Sequence, residues 1–278
     1  MIALIKNLKE VFTSLFLFLF LILSFNFSFS FGAPIRLISL SPSITRILVL
    51  IGARNTLVGV DGPISQAIAG PYHGSMLPMV GDFAQTNLEA IIALKPTAVL
   101  VSGPAEMPGL ARFNIPIVRF DPKTLTEIGW EVNQLGVIAN RPAQASQLAQ
   151  SYLQGLQQLP QIRRSKPIQV FIEVGADPLY TLTHASLQGQ IITRCGGENI
   201  FGNSPGISIP IHREAVLARN PQVIFTTVPD AQAYWDQYPE LAAVKNHRVI
   251  SLNPDEFSEP TPLLLKSAQQ ICGVLQRA

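Results

Sequence analysis

The chain predicts an α/β fold of two similar lobes with parallel sheets, and three observations carry that prediction. First, one short pattern occurs twice, 125 positions apart: N-L-E-A-I-I-A-L-K-P-T-A-V-L at 87–100 and H-R-E-A-V-L-A-R-N-P-Q-V-I-F at 212–225. In that register Glu89 falls on Glu214, Ala90 on Ala215, Ala93 on Ala218 and Pro96 on Pro221. Each copy reads as an acid opening a short helix, a Pro ending it and an apolar strand following; a repeated unit of this kind implies duplicated lobes. Second, apolar runs of strand length alternate with helical spacing in both halves, the mark of parallel sheets covered by helices. Third, helical spacing runs through 124–159 between the halves, and a helical link is a stiff connector rather than a flexible one.

The elements follow in order. Ile35–Leu40 is a short buried strand. Ser41 then offers an N-cap and Pro42 suits the first helical position. That helix should run through Ile44, Ile47, Leu48 and Leu50 to Gly52, suited to a left-handed stop. Leu57–Val60 is a second strand, and residues 61–79, rich in Gly, Pro and Ser, read as an irregular loop. The first repeat copy supplies a helix at Leu88–Leu94 and a strand at Ala98–Val101. Ile115–Phe120 is a further strand, and Asp121-Pro122 closes the lobe. Pro142 divides the link into helices Thr124–Ala139 and Ala143–Leu159. The second lobe begins with a strand at Gln169–Val174, a loop at Gly175–Thr183 and a helix at Leu187–Arg194. The second repeat copy adds a helix at Arg213–Ala218 and a strand at Val223–Thr227. A strand at Val249–Leu252 and an amphipathic helix at Pro262–Leu275 finish it. The expected division is a leader at 1–32, a first lobe at 35–122, a helical connector at 123–160 and a second lobe at 167–278.

The leader has the order of an export signal. Lys6 and Lys9 precede an apolar run from Val11 to Leu23, and small residues around Ser30, Gly32 and Ala33 make a cleavage point before Pro34. No Cys lies there to carry a lipid; an uncleaved membrane anchor is the alternative reading. Removal leaves about 246 of the 278 residues, enough for two lobes with real cores. A net charge of +2 with only 14% charged residues argues against nucleic acid as the partner. Cys195 and Cys272 are the only cysteines. In an exported chain such a pair most simply forms one disulfide, with two buried free thiols as the alternative.

Motifs of catalysis are missing. There is no G-x-S-x-G elbow, no P-loop and no glycine-rich dinucleotide turn. His73, His184, His212 and His247 do not have the spacing of a metal site, which needs several converging ligands. The expectation is therefore no enzyme, no metal and no catalytic cofactor, although triads can assemble from distant positions.

The string Ser39-Leu40-Ser41-Pro42-Ser43-Ile44-Thr45, the two repeat copies, C-G-G-E-N-I-F at 195–201 and A-Q-Q-I-C at 268–272 together resemble one family. It is that of the periplasmic iron-siderophore and cobalamin substrate-binding proteins of ABC importers, and the likeness spans about 35–276. The 195–201 string, the paired cysteines and the A-Q-Q-I-C ending lean toward the cobalamin-binding members. The resemblance implies two α/β lobes joined by a single rigid helix, a ligand cleft between them and a monomer in the periplasm. It also implies one Glu on each lobe docking onto arginines of the permease dimer, and Glu89 and Glu214 hold those positions. A pseudo-twofold pair of acids suits a twofold partner, and Arg–carboxylate contacts are directional. In the cleft, Phe83 and Tyr180 match aromatic positions that face the ligand, and Asp255 matches a polar contact. Aromatic faces suit a flat corrin; ordinary core packing is the alternative role of each ring.

Several positions depart from the cobalamin pattern. Ser208 and Glu256 stand where aromatics are expected, the loop at Asp61–Gln66 lacks a Tyr, and Arg46 replaces a Glu of the first helix. A ferric siderophore or haem is therefore the alternative ligand. Arg46 and Arg119 are the candidate cations for a siderophore, and Tyr72, His73 or His184 the candidate iron ligands. A cleft enzyme or a membrane-tethered sensor are the readings from other classes.

Overall fold

Strand and helix alternate along the chain as the hydrophobic pattern demands, and in the computed structural model they gather into two sheets. The structure describes residues 34–81, 85–103 and 108–278. The leader and Phe83 lie outside the described residues.

In the first lobe β1 (Leu37–Leu40), β2 (Leu57–Val60), β3 (Ala98–Ser102) and β4 (Ile117–Phe120) form a parallel sheet in the order β2-β1-β3-β4. The apolar strands are covered on both faces, as parallel strands require. Leu37 and Leu100 point to a core shared with α1 (Pro42–Leu50), while Ile38, Val99 and Val101 point to a second cluster with Ile91. Helix α1 starts with Pro42 at its first position and ends before Gly52, whose φ of 71° suits the left-handed stop. Ser41 takes the extended N-cap conformation, but its hydroxyl meets Ser43 Oγ at 2.8 Å instead of capping a backbone N–H.

Two expectations are corrected in the loops. Residues 61–79 contain a helix, α2 (Pro63–Ala69), with Pro63 in its first turn. Its inward face is Ser65 and Ala69 while Ile64 is exposed, so no apolar periodicity announced it. Gly175–Thr183 contains a strand, β6 (Leu179–Leu182), which turns back antiparallel on β5 (Ile168–Ala176).

The second sheet therefore has a parallel heart and an antiparallel edge. With β7 (Gly197–Asn199), β8 (Ser208–Pro210), β9 (Val223–Thr226) and β10 (Val249–Ser251), its main path is β10-β9-β5-β6-β8, and β7 pairs the start of β5. The bulge between Glu173 and Gly175 falls where β5 acquires β6 as its neighbour. Val170, Ile172 and Phe225 face one core, and Phe171, Ile224 and Trp235 the other. Closing helix α12 (Leu264–Gln276) packs on the first, where a disulfide joins Cys195, after α7 (Leu187–Arg194), to Cys272.

The link between the sheets is a packed pair of helices, α5 (Leu125–Ile138) and α6 (Pro142–Gln158). Thr124 starts α5 with a capping box: its hydroxyl accepts the Glu127 N–H at 3.3 Å while Glu127 accepts the Thr124 N–H at 3.4 Å. Leu125 and Ile128 sit in the second lobe's core, and Val132, Leu135 and Ala139 in the first. Helix α6 returns the other way, with Ala145 and Ala149 in the first core and Tyr152 and Leu156 in the second. The pair packs so closely that a Cβ on Gly136 would collide with the Ala145 methyl, and Tyr152 Oη donates to the Leu125 carbonyl at 2.8 Å. Both helices thus anchor in both cores, so bending the link means breaking two hydrogen-bonded ladders.

Candidate functional site

The duplicated unit recurs in three dimensions. Helix α3 (Leu88–Ala93) leads into β3, and α8 (Arg213–Arg219) leads into β9. Strand β3 lies between β1 and β4, and β9 between β5 and β10, all in parallel register. Even the turns match. Lys95 and Asn220 each take φ 46° immediately before Pro96 and Pro221, so both helices stop by the same left-handed step. Glu89 and Glu214 stand in the first turns, where the helix dipole favours an acid, and both are exposed. Neither has a hydrogen bond or ion pair among the described residues. Because each helix runs back against its strand, its N-terminus lies over the strands' carboxyl ends.

That end of the sheets also carries the cleft, as open α/β sheets dictate. Between the lobes lies a cavity of ≈ 370 Å³, lined by Ser102, Asp121 and Lys123 from the first and by Val174, Leu182, Ser186, Gln188 and Ile207 from the second. A larger concavity of ≈ 640 Å³ is lined by Gln161, Arg163, His184 and Glu198 on the second lobe alone. We take the smaller one as the ligand cleft, since both lobes build it, the first from the ends of β3 and β4 and the second from β5, the end of β6 and the N-terminus of α7. Ser186 orders its wall by accepting the Gly189 N–H at 2.9 Å as the N-cap of α7, and Gln188 Nε2 donates to the Phe257 carbonyl at 2.6 Å. Tyr180 stands two residues before Leu182 on β6 and is 37% exposed, but it is not among the residues that line this cavity.

Asp255 occupies α11 (Pro254–Phe257), which follows β10, and Asn253 Oδ1 accepts its backbone N–H at 2.9 Å. Its carboxylate is already engaged from the facing lobe: Arg46 Nη2 on α1 donates to Asp255 Oδ1 at 2.9 Å. The same guanidinium grips Glu259, with Nε to Oε2 at 2.7 Å and Nη2 to Oε1 at 3.3 Å. Hydrogen bonding to Glu259 pushes the Arg46 guanidinium further up, against the lowering effect of burial. Sequence reasoning offered Arg46 as a siderophore-facing cation; its charge is committed to two carboxylates of this chain. A partner 213 positions away leaves no local signal.

Two buried acids were not foreseen. Glu131 on α5 is 4% exposed, and burial pushes its carboxyl up to about 8 although the Asp121 backbone N–H donates to it. Glu173 on β5 is also pushed up by burial, while Thr226 and the Trp235 Nε1–H, at 3.2 Å, donate to it. The candidate iron ligands do not gather at the cleft. His184 lies 3.1 Å from Glu198 in the flanking concavity, and Tyr72 stacks edge-on against His73 with Arg54 over its ring.

Comparison with known proteins agrees with this geometry. The sequence profile of the family described as periplasmic binding protein matches residues 37–256. A vitamin B12-binding protein of Pectobacterium carotovorum subsp. carotovorum is 36% identical over 254 residues, covering 87% of this chain and 88% of its own. One of Yersinia pestis is 34% identical over 247 residues, covering 85% of each. Among solved structures, the periplasmic vitamin B12 binding protein BtuF of Vibrio cholerae superposes with a TM-score of 0.75 at 31% identity, over 87% of this chain and 96% of that one. The two-lobed fold, the cleft and the family profile lead to one statement: the chain belongs to the periplasmic binding protein family.

Proposed function

We propose that this chain is the substrate-binding component of an ABC importer and carries cobalamin or a related corrinoid through the periplasm. The observation that carries the reading is the near whole-length likeness, at 36% identity, to a protein named for vitamin B12 binding. The chain acts by binding and handing over, without catalysis or a resident cofactor, as an exported monomer released from its 1–32 leader. Lobes 35–122 and 167–278 face each other across the cleft, held by the connector at 123–160. Phe83 and Tyr180 lay their rings against the flat macrocycle, and Asp255 accepts from its polar periphery. Glu89 and Glu214 then dock one on each half of the permease dimer; their exposure on matching helices supports this role. The helical pair restricts closure to a rocking motion. The haem alternative rests on fold alone, since a periplasmic heme-binding protein of Roseiflexus shares the architecture, with a TM-score of 0.71, at 19% identity.

The test is uptake of labelled cobalamin by vesicles carrying the cognate permease. Uptake should depend on added protein; uptake equally fast without it would refute the carrier role.

A further inference from the structure

The cross-lobe ion cluster stands at the cleft, and each side of it is rigidly mounted. Arg46 projects from α1, whose Ile44, Ile47 and Leu48 are buried. The carboxylates project from α11 and the turn behind it, where Phe257 is buried and Thr261 N–H donates to the Glu259 carbonyl at 2.8 Å. The Arg46 and Glu259 side chains are only 14% and 16% exposed, so this fork is better shielded than a surface pair. Ser258 and Pro260, on either side of Glu259, line the ≈ 370 Å³ cavity. Lys123, the first residue of the connector, lines it too. With the fork closed, the two lobes cannot separate at this point without breaking its hydrogen bonds.

The cavity lies near the low end of the ~300–1,000 Å³ usual for small-molecule sites. A corrinoid is a large macrocycle, and in cobalamin it also bears a nucleotide loop. We infer that Arg46, clamped to Glu259 and Asp255, is a size gate: it holds the lobes at a narrow separation and must open before a ligand of corrinoid size enters. The ligand half of this inference rests on the corrinoid reading; the conformational half does not. The gate exacts a binding cost in proportion to ligand bulk, because the open arrangement is the minor one. Small ligands enter with the fork intact, and the permease gains a defined point at which to prise the lobes apart.

The experiment compares the full chain with Arg46→Met and Glu259→Gln, each with spin labels at exposed Ile64 and Ala233, one on each lobe. Interlobe distances are read by pulsed electron resonance, and association rates for cyanocobalamin and the smaller cobinamide by stopped flow. The expected result is a longer or broader distance in both variants and cyanocobalamin association faster by about fivefold, the worth of a half-shielded ion pair. Cobinamide should gain less. Added salt should speed the parent and leave Arg46→Met unmoved. Unchanged distances and rates in variants that still bind would overturn the gate while leaving the ligand reading intact. Longer distances in variants whose parent binds no corrinoid would support the gate and overturn the ligand. Slower association in Arg46→Met would also overturn the gate.

Discussion

Glu131 makes stability depend on pH in a direction that a single substitution can isolate. Burial on α5 raises its carboxyl from the ordinary 4.5 to about 8, with Asp121 and Glu127 adding repulsion and the Asp121 amide opposing. In the unfolded chain the group ionises near 4.5; in the folded chain it keeps its proton until about 8. Below the lower value both states are protonated and the carboxyl costs nothing. Between the two values only the unfolded chain releases the proton, so stability falls as pH rises, and above the upper value the whole cost is present. At about 1.4 kcal/mol per pKa unit the interval sets a ceiling on the order of 5 kcal/mol, and relaxation around the charge reduces it to about 2–5 kcal/mol. Glu131→Gln keeps an oxygen for the Asp121 N–H and removes the ionisation. Urea unfolding followed by circular dichroism should find parent and variant nearly equal at about pH 4 and the variant more stable by that amount at about pH 8.5. Glu173, raised in the same direction, is present in both and cancels. Parallel stability curves across that range would mean that Glu131 does not hold its proton through burial.

Three further outcomes follow from the site. Glu89→Ala with Glu214→Ala should abolish stimulation of the permease ATPase and leave ligand affinity nearly unchanged; a collapse of affinity would put the acids in the cleft. Phe83→Ala and Tyr180→Ala should each weaken ligand binding by about 1–3 kcal/mol if the rings stack on the ligand. An unaltered titration would return that ring to packing. Reducing the disulfide, which closes a separation of 77 residues, should lower stability by about 4 kcal/mol in the chain-entropy account. A melt insensitive to reductant would contradict that.

Much of the fold was legible because the parallel strands are covered on both faces, so 98–101 and 223–225 read as unbroken apolar runs. Pro142, which divides the connector and stands in the first turn of α6, marked the break between its two helices in the same local way. Helix α2 was hidden because its buried side is Ser65 and Ala69, which carry no apolar signal. Strand β6 was hidden because four residues after Asp177-Pro178 look like the rest of a turn. The paired acids Glu89 and Glu214 were readable for a special reason: duplication shows itself at fixed spacing, even when the two copies share few residues. The ion cluster of Arg46 was not readable, since its members meet only after both lobes have folded and packed on one connector. Glu131 was equally silent, because a charged letter in a helix pattern reads as a solvated face until burial is known.

The proposed ligand of the cleft is a corrinoid. Calorimetric titration of the leader-free protein with cyanocobalamin, cobinamide, haem and a ferric siderophore in parallel tests it most directly. The expected result is saturable one-to-one binding of the corrinoids and none of comparable strength for the iron ligands. Tight binding of haem or the siderophore, with the corrinoids inert, would contradict it.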